Sequence, residues 1–121
     1  MASLKITTEI NNTSKKLRTP GEGKNYTVTT TGDNADFRSL TVTESGEVTL
    51  TFTTDIGNAG YVYLRNNDDT NFVQYGYATT VYNQRISAGS TAIFELNPTI
   101  ASLYLRADTA DCNVDCWILE A

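Results

Sequence analysis

The chain contains no histidine. That absence excludes Ser-His-Asp and Cys-His arrangements, histidine-ligated metal and the commonest general base near neutral pH. Cysteine is scarce, with only Cys112 and Cys116, so a thiolate zinc site lacks a second pair of ligands. On an extended strand these two would lie about 13 Å apart, beyond the roughly 7 Å between Cα atoms that a disulfide tolerates. They are expected to be buried thiols sharing a face with Val114 and Ile118. A disulfide would require Asn113–Asp115 to form a loop instead. No run of about 18 apolar residues exists, so no helical membrane span is expected. Residues Met1–Ile10 lack the basic start and apolar core of a secretory signal, so folding in a cytoplasm is expected.

What is present points to one β-rich domain. A chain of 121 residues, 40% of them hydrophobic, can bury a core without disulfide or metal. Threonine is over-used and seven tyrosines accompany it, a bias toward side chains that fit a pleated, half-buried surface. The net charge of −5 is uneven. Residues 1–24 carry Lys5, Lys15, Lys16, Arg18 and Lys24 against Glu9 and Glu22, whereas the remainder is acidic. An acidic body repels phosphate backbones, and no aromatic residue interleaves with Lys15, Lys16 and Arg18, so nucleic acid is not an expected partner.

Period-two alternation runs through the chain. Leu4, Ile6 and Ile10 suggest a first strand; residues 11–24 form a polar connection with a turn signal at Thr19-Pro20-Gly21. Strands are then expected over Tyr26–Thr30, over Leu40–Thr43 and over Val48–Thr53. The last two are read as a hairpin around Glu44-Ser45-Gly46-Glu47. Six more are expected at Tyr61–Arg65, Phe72–Tyr77, Val81–Ile86, Thr91–Leu96, Leu103–Ala107 and Val114–Leu119. Turn signals every 8–12 residues or so mark an antiparallel β-sandwich, jelly-roll or related Greek-key, and no long-period repeat suggests a propeller or solenoid. The division is residues 1–24, an N-terminal strand and extended polar arm, and residues 25–121, the sandwich domain.

Candidate sites are few. Asn66-Asn67-Asp68-Asp69-Thr70-Asn71 is oxygen-rich but lacks the spacing and terminal Glu of a calcium loop, so it is read as a hairpin turn. Paired carboxylates could hydrolyse glycosides, yet Asp33, Asp36, Asp68 and Asp69 fall in expected turns. No enzyme, metal or cofactor is therefore expected. The aromatic residues are more telling. If Val62 and Leu64 face the core, Tyr61 and Tyr63 face outward; by the same parity Tyr104 opposes Leu105, and Trp117 opposes Ile118. Large amphipathic rings on an outer face suit a subunit or partner contact. The alternative is ordinary cross-strand pairing on a wet sheet.

The second half carries a resemblance. Gly60-Tyr61-Val62-Tyr63-Leu64-Arg65-Asn66, then Asp69-Thr70-Asn71-Phe72-Val73-Gln74-Tyr75-Gly76, then Ile86-Ser87-Ala88-Gly89-Ser90-Thr91-Ala92 and Ala107-Asp108-Thr109-Ala110, resemble segments of small structural proteins of tailed bacteriophages. The Cys112/Cys116 strand and Asn67, where an apolar residue is common, depart from that pattern. The resemblance implies a capsid decoration (cement) protein: a β-sandwich, commonly a homotrimer, bound across major capsid subunits on the virion surface after synthesis in the bacterial cytoplasm. It equally fits a tail or head-fibre module binding host-surface glycan. On the first reading Lys5, Lys15, Lys16, Arg18 and Lys24 reach the coat, and Tyr61, Tyr63, Tyr104 and Trp117 contribute to the contact.

Overall fold

The computed structural model describes residues 3–8, 24–29, 35–52, 59–97 and 99–120, with side chains from residue 35 onward. No helix occurs among them. There are ten strands: β1 (Ser3–Thr8), β2 (Lys24–Thr29), β3 (Ala35–Val42), β4 (Val48–Thr51), β5 (Ala59–Asn66), β6 (Val73–Gly76), β7 (Gln84–Ile86), β8 (Thr91–Glu95), β9 (Ser102–Ala107) and β10 (Cys112–Glu120). The expected turn at Thr19–Gly21 lies outside the described residues.

β1 and β2 pair antiparallel as a two-stranded sheet of their own. The other eight form two four-stranded antiparallel sheets, ordered β3-β10-β5-β8 and β4-β9-β6-β7. Counted from β3, the strands run 1-8-3-6 in one sheet and 2-7-4-5 in the other. That interleaving is the double Greek key of a jelly roll.

The topology overturns two expected hairpins. β3 and β4 belong to different sheets, pairing with β10 and β9 respectively, so Glu44–Glu47 carries the chain across the sandwich. The local turn is real: the Thr43 hydroxyl donates to the Gly46 carbonyl at 2.8 Å. Residues 66–71 likewise join β5 to β6 in the opposite sheet. Alternation reveals which face of a strand is buried, but both sheets bury the same kind of face, so sequence patterning cannot say where a strand's partner lies. Among the sandwich strands, only β6 and β7 are sequential neighbours in one sheet.

Burial follows the alternation strictly. β10 reads buried at Cys112, Val114, Cys116 and Ile118, with Asn113 and Trp117 exposed between them. Val62 and Leu64 of β5, Leu50 of β4, Leu103 and Leu105 of β9 and Val73 of β6 complete a layer fully withdrawn from solvent. Tyr75 stacks on Phe94 across the two sheets, centroids 5.5 Å apart and planes 17° apart, and burial pushes its hydroxyl up to about 12. Both cysteines are free and buried, as expected of small hydrophobes on this face.

Two inward positions on edge strand β3 are charged: Asp36 and Arg38, paired at 2.7 Å. Asp36 therefore lies in a strand, not in the expected turn. Inward charges on an edge discourage pairing with another chain.

The expected strand Val81–Ile86 is shorter, because the chain turns sharply before it. Val81 makes one isolated bridge to Ala78, and β7 begins at Gln84. Thr80 sits at φ 60°, a strained setting for a β-branched residue. The Glu47 carboxylate holds that turn, accepting from the Thr79 hydroxyl (2.6 Å), the Thr80 N–H (2.6 Å) and the Tyr82 hydroxyl (2.5 Å). These bonds keep its pKa below the usual carboxylate range.

Gly76 lies where this turn folds back. A Cβ there would meet the Val81 carbonyl oxygen at 1.9 Å, whereas one on Gly46 would meet nothing within 4 Å. Gly76→Ala is expected to cost about 3 kcal/mol in urea unfolding, with Gly46→Ala close to wild type. The thiols give a second check. Burial pushes Cys116 up to about 12, and Cys112 upward also, chiefly by burial. Thiolate reagents at mildly alkaline pH are expected to label neither residue in the native protein and both in denaturing urea.

Candidate functional site

The outer face of the β3-β10-β5-β8 sheet carries the strongest candidate. Strand register sets Phe37 opposite Trp117, Trp117 opposite Tyr63, and Tyr63 opposite Ile93. One apolar row thus crosses all four strands. Phe37 and Trp117 are each about half exposed, at 53% and 52%, and Ile93 is 40% exposed. The rings pack tilted against one another in a ridge: Phe37–Trp117 centroids lie 5.1 Å apart at 51°, and Tyr63–Trp117 centroids 5.6 Å apart at 45°. Such cross-strand aromatic pairs stabilise a sheet modestly while leaving ring surface for a partner.

The ridge separates two unlike grooves. On one side Ala35, Tyr61, Tyr63, Trp117 and Leu119 line an apolar depression of about 240 Å³. The Tyr61 hydroxyl donates to Glu95 at 3.0 Å on that side. On the other side a wider groove of about 420 Å³ adds Arg65, Asn67 and Asp115 to Phe37, Tyr63 and Trp117. Asp115 is half-buried and held in place: Ser39 donates to its Oδ1 at 2.8 Å and the Asn67 side chain bonds it too. With Arg65 adding a weaker attraction, these bonds lower its pKa and keep it ionised at neutral pH.

The structure brings together three of the four sequence-predicted aromatic residues. Tyr61, Tyr63 and Trp117 share this face, but Tyr104 lies on β9 of the opposite sheet, across from Thr49 and Gly76. Parity identified each as outward but could not tell one sheet from the other. Lys5 of β1 pairs with Thr27, and Lys24 of β2 pairs with Thr8; Lys15, Lys16 and Arg18 lie outside the described residues. Phe37 and Ile93 were missed. The signal for Phe37 was present in Phe37-Arg38-Ser39-Leu40-Thr41, but its inward neighbours Asp36 and Arg38 are charged, which hides the strand's alternation.

The Asn66–Asn71 segment is a hydrogen-bonded corner. Asn66 is fully buried, and its amide donates to the carbonyls of Asn71 (2.9 Å), Ile86 (3.2 Å) and Ser87 (3.4 Å). Its Oδ1 accepts the Asp68 N–H at 3.0 Å. Asp68 in turn accepts the N–H groups of Thr70 (3.0 Å) and Asn71 (2.6 Å), which keeps its carboxyl below the usual range. The side-chain oxygens of Asn66 and Asp68 are thus engaged in shaping the backbone. Among the described residues, no three Cys, Asp or Glu side chains gather as a metal-binding group.

The ridge lies outside the core, and its removal is expected to leave the fold standing. Phe37→Ala and Trp117→Ala should each lower unfolding free energy by about 1 kcal/mol, against about 2–5 kcal/mol for Leu64→Ala, measured by urea denaturation.

No protein-family model matches the chain, and no curated protein or solved structure matches it either.

Proposed function

We propose that this chain is a bacteriophage virion structural protein that decorates the capsid without catalysing a reaction. Its N-terminal segment is the anchor, and the jelly roll is the body held at the surface. The observation that carries this reading is the uneven division of charge along the chain. Residues 1–24 hold five cations against two carboxylates; the remaining residues hold four cations against twelve. Of these cations, Lys5 lies on β1 and Lys24 on β2, which form a sheet distinct from the two sandwich sheets.

The phage resemblance supports the same reading, and its segments lie together in this fold. Asn66 links the first motif to Ile86 and Ser87 of the third. The Asp108 N–H donates to Phe72 O at 3.1 Å, and Thr109 donates to Asn71 Oδ1 at 2.8 Å, tying in the last. All the segments meet at one corner of the sandwich, where they form framework rather than chemistry.

A protein that binds across neighbouring major capsid subunits recognises a surface present only in the assembled shell, so it stabilises that shell by mass action. Trimeric association would multiply a modest contact, since one seated arm raises the local concentration of the others. Attachment through the lysines and arginine of residues 1–24 should weaken with salt.

Co-sedimentation with empty coat shells of the encoding phage tests the assignment. Wild-type protein is expected to pellet with the shells and to be released as salt rises. The Lys15→Glu, Lys16→Glu, Arg18→Glu variant, still folded by circular dichroism, is expected to stay in the supernatant. Unchanged pelleting of the variant, or no pelleting of either, overturns it.

A further inference from the structure

We propose that the aromatic ridge and its flanking grooves form a binding site for a neutral oligosaccharide bearing acetamido or deoxy-methyl groups. The inference does not rest on capsid decoration, which uses the N-terminal segment. It rests on the juxtaposition of Phe37, Trp117 and Tyr63 with Asp115, Arg65 and Asn67 on one side and an apolar depression on the other.

A pyranose has a C–H face that packs on aromatic rings and an equatorial edge of hydroxyl groups. The ridge offers the rings. The polar groove offers an acceptor-only carboxylate, a donor-only guanidinium and an amide that does both, the set that hydroxyl groups satisfy. Asp115 is oriented by Ser39 and Asn67 before any ligand arrives, and a carboxylate has lone pairs beyond those two bonds. The depression between Ala35, Tyr61 and Leu119 is apolar and of a size for a methyl-bearing substituent. A few placed polar groups beside a mainly apolar wall is the usual composition of a small-ligand site.

Other occupants fit less well. An extended peptide adding a strand would dock at the outer edge of β3 or β8 and not across this face, because β10 and β5 are each paired on both sides. An apolar protein surface would strip water from the ionised Asp115 and from Arg65 without replacing their hydrogen bonds. An acidic glycan or a nucleic acid would meet a body with twelve carboxylates against four cations. A neutral, hydroxyl-rich ligand meets none of these penalties.

Trp117 is the only tryptophan in the chain, so its fluorescence reports this site alone. The experiment titrates the full chain with tri-N-acetylchitotriose and with a methyl fucoside, alongside an array of neutral glycans. A saturable change in Trp117 emission with at least one of the two sugars is expected. Affinity should fall about tenfold or more in Asp115→Asn and in Phe37→Ala, both folded by circular dichroism. Both variants should still pellet with coat shells, which separates this site from the anchor. The proposal is overturned if neither sugar gives a saturable change and the array shows no binder. It is equally overturned if both variants bind as wild type does. A Trp117 shift that follows protein concentration alone, with dimers in sedimentation equilibrium, would assign the face to a second copy and overturn it too.

Discussion

The apolar layer between the two sheets is the constraint on which the molecule depends. Val62, Leu64, Val114, Cys116 and Ile118 from one sheet meet Leu50, Leu103, Leu105 and Val73 from the other, all withdrawn from water. Because side chains alternate across a strand, filling that layer fixes the other half of each strand on the outside. β10 is the strand most fully committed to it, since it pairs along its length with both β3 and β5. Placing Cys116 and Ile118 inward leaves Trp117 no choice but to face out. The ridge on the outer face is thus a consequence of core packing in register, and the core does not require that its residues be aromatic.

One buried polar group ties the loops to this layer. Asn66 is the only buried polar or charged residue among those described, and it makes three donations and one acceptance. A buried amide is tolerated when its bonds are made, and a satisfied one fixes geometry that apolar contacts leave loose. Here it holds the β5–β6 connection against the β7–β8 turn, where Gly89 takes a φ of +70° and Ser90 N–H bonds Ser87 O at 3.0 Å. On the β4-β9-β6-β7 sheet Glu47 serves a comparable purpose, offsetting the strain at Thr80 with three accepted bonds. Each is a polar side chain whose hydrogen bonds hold a turn in place.

Charge is unevenly divided along the chain: five of the nine cations fall within residues 1–24 and twelve of the fourteen carboxylates beyond them. Phe37 and Trp117 lie exposed on one outer sheet face. The β3 edge of that sheet carries inward-facing Asp36 and Arg38, which discourages growth by edge pairing.

The all-β class, most strand positions, the inward or outward direction of Tyr61, Tyr63, Tyr104 and Trp117, and the buried state of both cysteines were legible in the residues. Each depends only on a side chain's parity within its own strand, which is a local property. The jelly-roll order, the crossing of Glu44–Glu47 and Asn66–Asn71 between sheets, the separation of Tyr104 from the other aromatic residues, and the arrival of Phe37 and Ile93 in one row with Trp117 were decided by tertiary structure. Those features depend on which strands become neighbours. Sheets that bury chemically identical faces leave no mark of that choice along the chain; it is made by the packing of the whole interior.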